Sequence, residues 1–151
     1  MSSDLRELYQ SVILDHNKRP RNFCKPKCAN RSAEGVNPLC GDQLTVYLTV
    51  EDGVVEDVGF KGTGCAISTA SASLMTQSIK GKEIGDIEHL FEGFHEMVTS
   101  KPQSGVGNDN LGKLSVFSGV REFPMRVKCA TLAWHAMREA LHDTCETATT
   151  E

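Results

Sequence analysis

The stretch QLTVYLTVEDGVVEDVGFKGTGC, residues 43–65, decides the fold. Its first eight residues alternate apolar and polar side chains, which is the period-2 pattern of a strand with one buried face. The turn EDGV follows, and residues 54–61 return as a second strand, so the pair is predicted to form a β-hairpin. Gly62 and Gly64 end the second strand, and Cys65 is expected at the N-terminus of the helix that follows.

Helices are predicted on both sides of this hairpin. Helical spacing of apolar or small residues is found in residues 4–17, 66–80, 86–99 and 124–142. The apolar stripe of the first helix includes Leu8, and that of the last includes Met125. A short edge strand before Pro38 is only weakly signalled, and the Gly/Asn/Pro-rich residues 100–112 are expected to form a loop. The prediction is α+β, with a small antiparallel sheet and helices segregated around it.

Composition limits the classes of protein to which the chain can belong. With 151 residues, 39% hydrophobic and 24% charged, it is expected to form one globular domain over residues 1–151, with a polar tail at about 143–151. No apolar run is long enough for a membrane span, and the start MSSDLREL differs from a signal peptide, so a cytoplasmic protein with no membrane partner is expected. The net charge of −4 argues against nucleic acid as the main partner.

A basic segment follows the first helix. Six lysine and arginine residues lie between Lys18 and Arg31, and no acidic residue lies between Asp15 and Glu34. One interpretation is a solvated loop, since charge runs usually mean no more than that. The other is a docking patch that steers an acidic protein partner into contact.

Three of the six cysteines lie at the ends of predicted elements. Cys40 and, two positions later, Asp42 lie in the turn NPLCGD before the hairpin, while Cys129 lies in the first turns of the last helix. Because a hairpin brings the start of its first strand beside the end of its second, Cys40, Asp42 and Cys65 can converge, and Cys129 can join them from the last helix. Three thiolates and one carboxylate make the tetrahedral set of four that zinc prefers, and they could equally hold an iron–sulfur cluster. Three unrelated cysteines, with Asp42 as a turn residue, are the alternative.

The other cysteines have no assigned role. Cys24 and Cys28 form a C-x₃-C pair in the basic segment, where a second metal pair or a redox switch is one interpretation, although no further ligands lie nearby. Cys145 in the polar tail is expected to be a spare thiol. In a reducing compartment all six are expected as metal ligands or reactive thiols rather than disulfides.

Four motifs carry a resemblance to a known family, namely LYQSVILDHNKRPRN, NPLCGD, GTGCAISTASASLM and FPMRVKCATLAW. In order and spacing they resemble the iron–sulfur cluster assembly scaffold superfamily of the IscU/NifU N-terminal type, over nearly the whole chain. The SufU branch is the more similar one, because Lys128 rather than His precedes Cys129 and residues 88–109 resemble the insertion of that branch. The resemblance implies a three-stranded antiparallel sheet surrounded by helices. It also implies a set of metal ligands: Cys40, Asp42, Cys65 and Cys129.

The SufU resemblance implies a relay protein rather than an enzyme. Such a protein binds zinc, accepts persulfide sulfur from a cysteine desulfurase of the SufS type and serves downstream cluster-assembly proteins, so that it has sulfurtransferase-like activity only with its partner. The IscU branch instead implies a scaffold that binds iron, builds a [2Fe–2S] cluster and hands it on. A third interpretation is a structural zinc domain that serves protein interaction.

Two residues are predicted to act in sulfur transfer. Cys40 is the predicted acceptor, because its Pro/Gly-flanked turn moves more easily than a helix and its thiol can leave the metal when the desulfurase supplies a replacement ligand. Arg126 lies three residues before Cys129, and it is predicted to stabilise the thiolate or to guide the incoming persulfide. A solvent-facing arginine or a salt bridge is the alternative for Arg126.

Overall fold

The computed structural model describes residues 3–38, 40–99, 112–142 and 148–149. Its elements in chain order are α1 (Ser3–Lys18), β1 (Arg31–Asn37), β2 (Asp42–Glu51), β3 (Val54–Thr63), α2 (Ala66–Ile79), α3 (Ile84–Thr99), a 3₁₀ helix (Gly112–Glu122), α4 (Pro124–His142) and β4 (Ala148–Thr149). This order confirms the α+β class. Among the described residues, no helix has both the length and the apolar character needed to cross a membrane.

The predicted hairpin is formed by β2 and β3, which pair antiparallel over nearly their whole length. Asp52 and Gly53 connect them with φ angles of +52° and +75°, and left-handed residues at both positions give a tight turn whose twist matches that of the strands. The alternation along β2 buries one face of the hairpin. Its buried apolar residues are Leu44, Val46, Leu48 and Val50.

The weakly signalled edge strand exists as β1, which pairs antiparallel with β2 from Arg31 opposite Leu48 to Asn37 opposite Asp42. It completes the three antiparallel strands that the family resemblance implies. The two-residue β4 adds a short parallel pairing on the outer side of β1, within the segment expected to be a polar tail, so that the strand order is β3-β2-β1-β4.

Helix α4 is the central helix of the core. Its Trp134 is fully buried, stacks on the ring of Phe94 from α3 at 4.5 Å and donates a hydrogen bond from Nε1 to Ser71 Oγ of α2 at 3.1 Å. On the sheet side, a Cβ atom on Gly35 would lie 3.1 Å from Leu132 Cδ1, so the absence of a side chain lets α4 pack closely on β1. The last helix is thereby fixed against both the sheet and α2.

Two residues assigned to apolar stripes lie outside the core. Leu8 of α1 is 57% exposed and Met125 of α4 is 56% exposed, so both predictions of burial are wrong. Met125 lies in the first turn of α4, before the helix reaches the sheet. The 3₁₀ helix was not predicted, because its sequence GKLSVFSGVRE has neither a long periodic stripe nor a strong cap. Most of the predicted loop at 100–112, together with Cys145, lies outside the described residues.

Candidate metal centre

The four candidate ligands lie near one end of the sheet, and each comes from a different position in the fold. Cys40 lies in the turn between β1 and β2, and Asp42 is the first residue of β2. Cys65 is the N-cap residue of α2, directly after β3, and Cys129 is in the second turn of α4. The hairpin therefore brings the first three close to one another, and the packing of α4 on the sheet adds the fourth.

The carboxylate of Asp42 is buried and held from one side. Asp42 is 1% exposed, and its Oδ1 atom accepts a hydrogen bond from the backbone N–H of Cys65 at 2.8 Å. The Oδ2 atom lies 4.0 Å from Cys65 Sγ, which in turn accepts a bond from the backbone N–H of Ser68 at 3.4 Å. The first turn of α2 thus fixes both an acid and a thiol through its otherwise unpaired backbone donors.

The thiols of Cys40 and Cys129 form the other half of the centre. Their Sγ atoms lie 3.6 Å apart, with Cys129 fully buried and Cys40 half-buried. The ligand atoms of Cys40, Asp42 and Cys129 all lie within 4.8 Å of one another, and they make the one compact set of potential metal ligands among the described residues. Cys65 lies beside this set, in contact with Asp42, rather than within it.

The centre combines one carboxylate with three thiols, and no ion pair found among the described residues brings a positive charge to it. Burial, followed by the neighbouring Cys65 and Cys40 thiols and the Asp42 carboxylate, raises the pKa of Cys129 far above its usual range. The ion pairs found among the described residues involve Asp15, Asp57 and Glu88, and none reaches Asp42. A divalent cation would relieve this repulsion and allow the thiols to ionise.

The geometry of the centre fits a zinc ion. Zinc–sulfur bonds of about 2.3 Å in a tetrahedron place two sulfur atoms about 3.8 Å apart. The Cys40 and Cys129 sulfurs are 3.6 Å apart, so these two side chains need almost no movement to share one ion. The donor set of three sulfurs and one oxygen suits zinc, and it also suits a cluster ligated mainly by thiolates.

Comparison with known proteins gives the family. The model of the NifU-like N terminal domain matches residues 8–143. The chain belongs to this family. Two relatives of similar length are the zinc-dependent sulfurtransferase SufU of Bacillus subtilis, 39% identical over 142 residues that cover 93% of each chain, and the iron–sulfur cluster assembly scaffold protein IscU of Thermotoga maritima, 40% identical over 134 residues that cover 89% of this chain and 92% of the relative.

A solved structure has the same fold as this chain. The crystal structure of FiSufU from Fervidobacterium islandicum AW-1 superposes with a TM-score of 0.81 at 33% identity, covering 90% of this chain and 98% of that one. The predicted superfamily and fold are confirmed. One of the relatives is named a sulfurtransferase and the other an assembly scaffold.

Arg126 is exposed in the first turn of α4, one helical turn before Cys129, and its predicted role in transfer stays a prediction. Beside it lie two exposed apolar residues. Phe123 is 60% exposed and Met125 is 56% exposed, so an apolar and basic surface, Phe123–Met125–Arg126, lies at the start of the helix that contributes Cys129.

Within the basic segment, several side chains contact the protein itself. Arg21 forms an ion pair with Asp15 at 2.6 Å, and the Lys25 ammonium lies 5.6 Å from the ring centre of Tyr47. Lys18, Arg19 and Lys27 are exposed. The two interpretations of the segment therefore reduce to the question of whether these three residues meet a partner.

Two buried polar residues at the centre were missed as functional candidates. Asn37 is the first residue of the predicted turn NPLCGD, yet it ends β1, is fully buried and directs its Nδ2 atom at Cys129 Sγ, 4.0 Å away. Ser68, which was assigned to a helix of small packing residues, is fully buried beside Cys65 and Asp42. The only sequence signal for either residue is its proximity to a candidate ligand, three positions before Cys40 and three after Cys65.

Proposed function

We propose that this protein serves iron–sulfur cluster assembly by accepting persulfide sulfur from a cysteine desulfurase, with Cys40 as the acceptor. The observation that carries the proposal is the contrast between two thiols only 3.6 Å apart: Cys40 is half-buried in a turn, whereas Cys129 is fully buried in a helix. A donor that approaches from solvent reaches Cys40 before Cys129. Cys65 is also half-buried, but it is fixed as the N-cap of α2, where its sulfur accepts a bond from the backbone N–H of Ser68. The relationship to a Bacillus subtilis protein named as a zinc-dependent sulfurtransferase supports this role.

The transfer step is a thiol exchange without net oxidation. The Cys40 thiolate attacks the outer sulfur of the persulfide that the desulfurase carries on its own cysteine. A sulfur–sulfur bond to Cys40 forms while the bond within the donor persulfide breaks, and the donor cysteine leaves as a thiolate. The outer sulfur keeps its oxidation state and its protonation state, so the product is a persulfide on Cys40.

Zinc is the metal that the proposal assigns to the centre, with Cys40, Asp42, Cys65 and Cys129 as the residues that would hold it. When bound, it supplies positive charge that keeps the cysteine thiols deprotonated at neutral pH. The protein contributes the arrangement: the N-cap of α2 fixes Cys65 and orients Asp42, and the core packing of α4 fixes Cys129. Cys40 alone lies in a turn, next to Gly41 at φ +70°.

Arg126 and its apolar neighbours are assigned to the encounter with the donor. The guanidinium is exposed one turn from Cys129, where it would attract an anionic persulfide. Phe123 and Met125 expose apolar surface at the same place, which suits contact with a protein rather than with solvent. This surface would hold the donor while its persulfide reaches Cys40.

A scaffold role is the second candidate, with a [2Fe–2S] cluster as cargo rather than zinc as a resident ion. It is favoured by one observation in particular, since three thiols and a carboxylate within a few ångströms of one another could bind the two irons of a cluster. The Thermotoga maritima relative, which is named as an assembly scaffold, supports this alternative.

The test is desulfurase turnover and intact-protein mass spectrometry on the full chain, in zinc-loaded and zinc-stripped forms. The proposal predicts faster turnover and a mass increase of one sulfur on the wild type only in the zinc-loaded form, and no added sulfur on a Cys40→Ala variant. An undiminished persulfide on Cys40→Ala would refute the acceptor assignment. A chromophore that forms under anaerobic conditions with iron, desulfurase and cysteine, and that transfers to an acceptor apoprotein, would support the scaffold instead.

A further inference from the structure

Two fully buried polar side chains at the metal centre have hydrogen-bonding atoms without a partner among the residues that the structure describes. These are Asn37 Oδ1 and Ser68 Oγ. A buried polar group normally has a hydrogen-bond partner, and leaving one without a partner costs roughly 1–3 kcal/mol. For Ser68, whose hydroxyl borders the Asp42 carboxylate, the missing partner points to a role at the metal centre. For Asn37, the observation that points there is the contact of its Nδ2 atom with Cys129 Sγ.

Ser68 lies beside the carboxylate of Asp42. A Cβ atom built on Gly64 would be 3.1 Å from both Asp42 Oδ1 and Ser68 Oγ, so the carboxylate and the hydroxyl border the same small space. The backbone N–H of Ser68 already donates to Cys65 Sγ. The Ser68 hydroxyl has no partner among the described residues, so its proton is available to the Asp42 oxygen that borders the same space.

Asn37 contacts the cluster at Cys129 and Cys40. Its side-chain Nδ2 lies 4.0 Å from Cys129 Sγ, its backbone carbonyl accepts a bond from the N–H of Cys40 at 3.3 Å, and it pairs with Asp42 across the ladder of β1 and β2. One residue therefore touches, by side chain or backbone, three of the four candidate ligands. Its amide reaches the sulfur that is most deeply buried.

We propose that Ser68 and Asn37 are positioning residues that orient the metal ligands Asp42 and Cys129. In the metal-bound centre, Ser68 Oγ–H would donate to Asp42 Oδ1 and leave Oδ2 for the metal, and Asn37 Nδ2, which already lies 4.0 Å from Cys129 Sγ, would donate to that sulfur. Both bonds would be favoured in the metal-bound centre, because hydrogen bonds to ionised acceptors are shorter and stronger than bonds between neutral groups. The inference rests on the proposed function only in that the centre binds metal.

This assignment divides the centre into a fixed part and a movable part. Asp42 and Cys129 are each held by a backbone or side-chain N–H donor from a neighbouring element, whereas the contacts found for Cys40 are its backbone N–H bond to Asn37 and the Cys129 thiol. Partners of metal ligands typically change metal affinity by about 10- to 100-fold when they are removed. The expected effect of the two residues is therefore on the metal-bound state rather than on the fold.

The test uses Ser68→Ala and Asn37→Leu in the full chain, with Thr49→Val as the matched control. Thr49 also has a buried hydroxyl without a partner among the described residues, but it lies seven residues along β2 from Asp42. Zinc affinity is measured by competition with a chromophoric chelator, and ligand geometry by the absorption bands of the cobalt(II)-substituted protein. Urea unfolding of the metal-free protein reports on any effect that is purely structural.

Ser68→Ala is expected to weaken zinc binding by about 10- to 100-fold while the unfolding midpoint of the metal-free protein is unchanged or raised, since an unpaired hydroxyl has been removed. Asn37→Leu is expected to shift the sulfur-to-cobalt charge-transfer band to lower energy, because the thiolate loses a donor. Thr49→Val should change neither the zinc affinity nor the cobalt spectrum.

Wild-type zinc affinity and an unchanged cobalt spectrum in both variants would overturn the inference, as would equal losses of zinc affinity and of metal-free stability in Ser68→Ala. The sulfur-transfer proposal is judged separately: normal metal effects in these variants, combined with a wild type that accepts no sulfur from a desulfurase, would refute sulfur transfer and leave the positioning role intact.

Discussion

Cys40 and Cys129 lie 89 positions apart in the chain, yet their sulfur atoms are 3.6 Å from each other. The contact joins the turn between the first two strands to the last helix. It is made because α4 packs against β1, where Gly35 allows close approach to Leu132. The two sulfurs differ in access to solvent, because Cys40 is half-buried and Cys129 is fully buried.

Cys40→Ala is expected to abolish sulfur acceptance while the metal-free fold is retained, because the thiol is half-buried in a turn and makes few core contacts. Thermal unfolding of the metal-free variant should match that of the wild type within about 0.5 kcal/mol. Cys129→Ala is the comparison variant, since it removes a fully buried side chain and should be measurably destabilised. If Cys40→Ala itself unfolded the protein, a structural zinc domain would be the better description.

Removal of the metal from the wild type is expected to lower the unfolding temperature. A ligand bound only by the folded state stabilises it by about 4 kcal/mol when its free concentration is a thousand times its dissociation constant. The comparison is scanning calorimetry with zinc and with a chelator, on the wild type and on Asp42→Ala. The chelator should change the variant less than the wild type, and equal shifts in both would argue against Asp42 as a ligand.

Arg126→Ala is expected to reduce the rate of desulfurase-dependent sulfur transfer severalfold while zinc affinity is unchanged, because the side chain is exposed beside the centre rather than within it. Raising the salt concentration should shrink the difference between variant and wild type, since attraction to an anionic persulfide is screened. Lys82→Ala, at an exposed position between α2 and α3, is the matched loss of one positive charge. An Arg126→Ala variant with the wild-type rate at low salt would leave Arg126 as a surface residue only.

Gly64→Ala is expected to weaken zinc binding by about tenfold, because the new Cβ would lie 3.1 Å from both Asp42 Oδ1 and Ser68 Oγ. One of these atoms, or the backbone itself, must move by a few tenths of an ångström. Gly85→Ala is the control, since nothing lies within 4 Å of its Cβ position and alanine favours the α3 helix. Chelator competition should separate the two, and equal zinc affinities would show that the centre tolerates the displacement.

Acidification is expected to destabilise the protein through His16. The residue is 3% exposed, and burial, helped by Arg21 and Lys113 and opposed by Asp15, lowers the pKa of His16 below its usual value. Ser73 Oγ accepts a bond from the backbone N–H of Arg21, so its own hydroxyl proton is free to be donated to His16 Nδ1 at 2.7 Å.

The sign of the pH effect follows from the direction of that shift. The unfolded chain binds a proton near pH 6.5 and the folded chain only at lower pH, so the stability present above pH 6.5 decreases as the pH falls towards the folded pKa, by at most about 1.4 kcal/mol per pH unit. Urea unfolding between pH 7.5 and 5 should show a shallower decline for His16→Gln than for the wild type. Parallel curves for the two proteins would show that His16 does not contribute.

The hairpin and the long helices could be predicted because their patterns are local. Alternation in β2 and the stripes of α3 and α4 extend over eight or more residues, and the turn at Asp52–Gly53 has a specific sequence. β1 was only weakly signalled, since RSAEGVN contains glycine and asparagine and much of its burial comes from α4, which is distant in sequence. β4 has two residues and no pattern of its own.

The four candidate ligands could be predicted because thiols and a carboxylate at element ends have few other roles, and because the family resemblance adds their order. The surroundings could not. Whether Asn37 faces solvent or Cys129 depends on the packing of α4, and the exposure of Met125 depends on where that helix meets the sheet. Both are tertiary relationships that no short window of sequence contains.

The wide separation of Cys40 from Cys129 has a consequence for protein synthesis. A ribosome makes the hairpin and α2 well before it makes the last helix. A nascent chain therefore contains Cys40, Asp42 and Cys65 before Cys129 has been added. The finished arrangement exists only once α4 has left the exit tunnel and docked. A complete set of the four candidate ligands therefore exists only after α4 has been made, and a fragment that ends before α4 would lack Cys129.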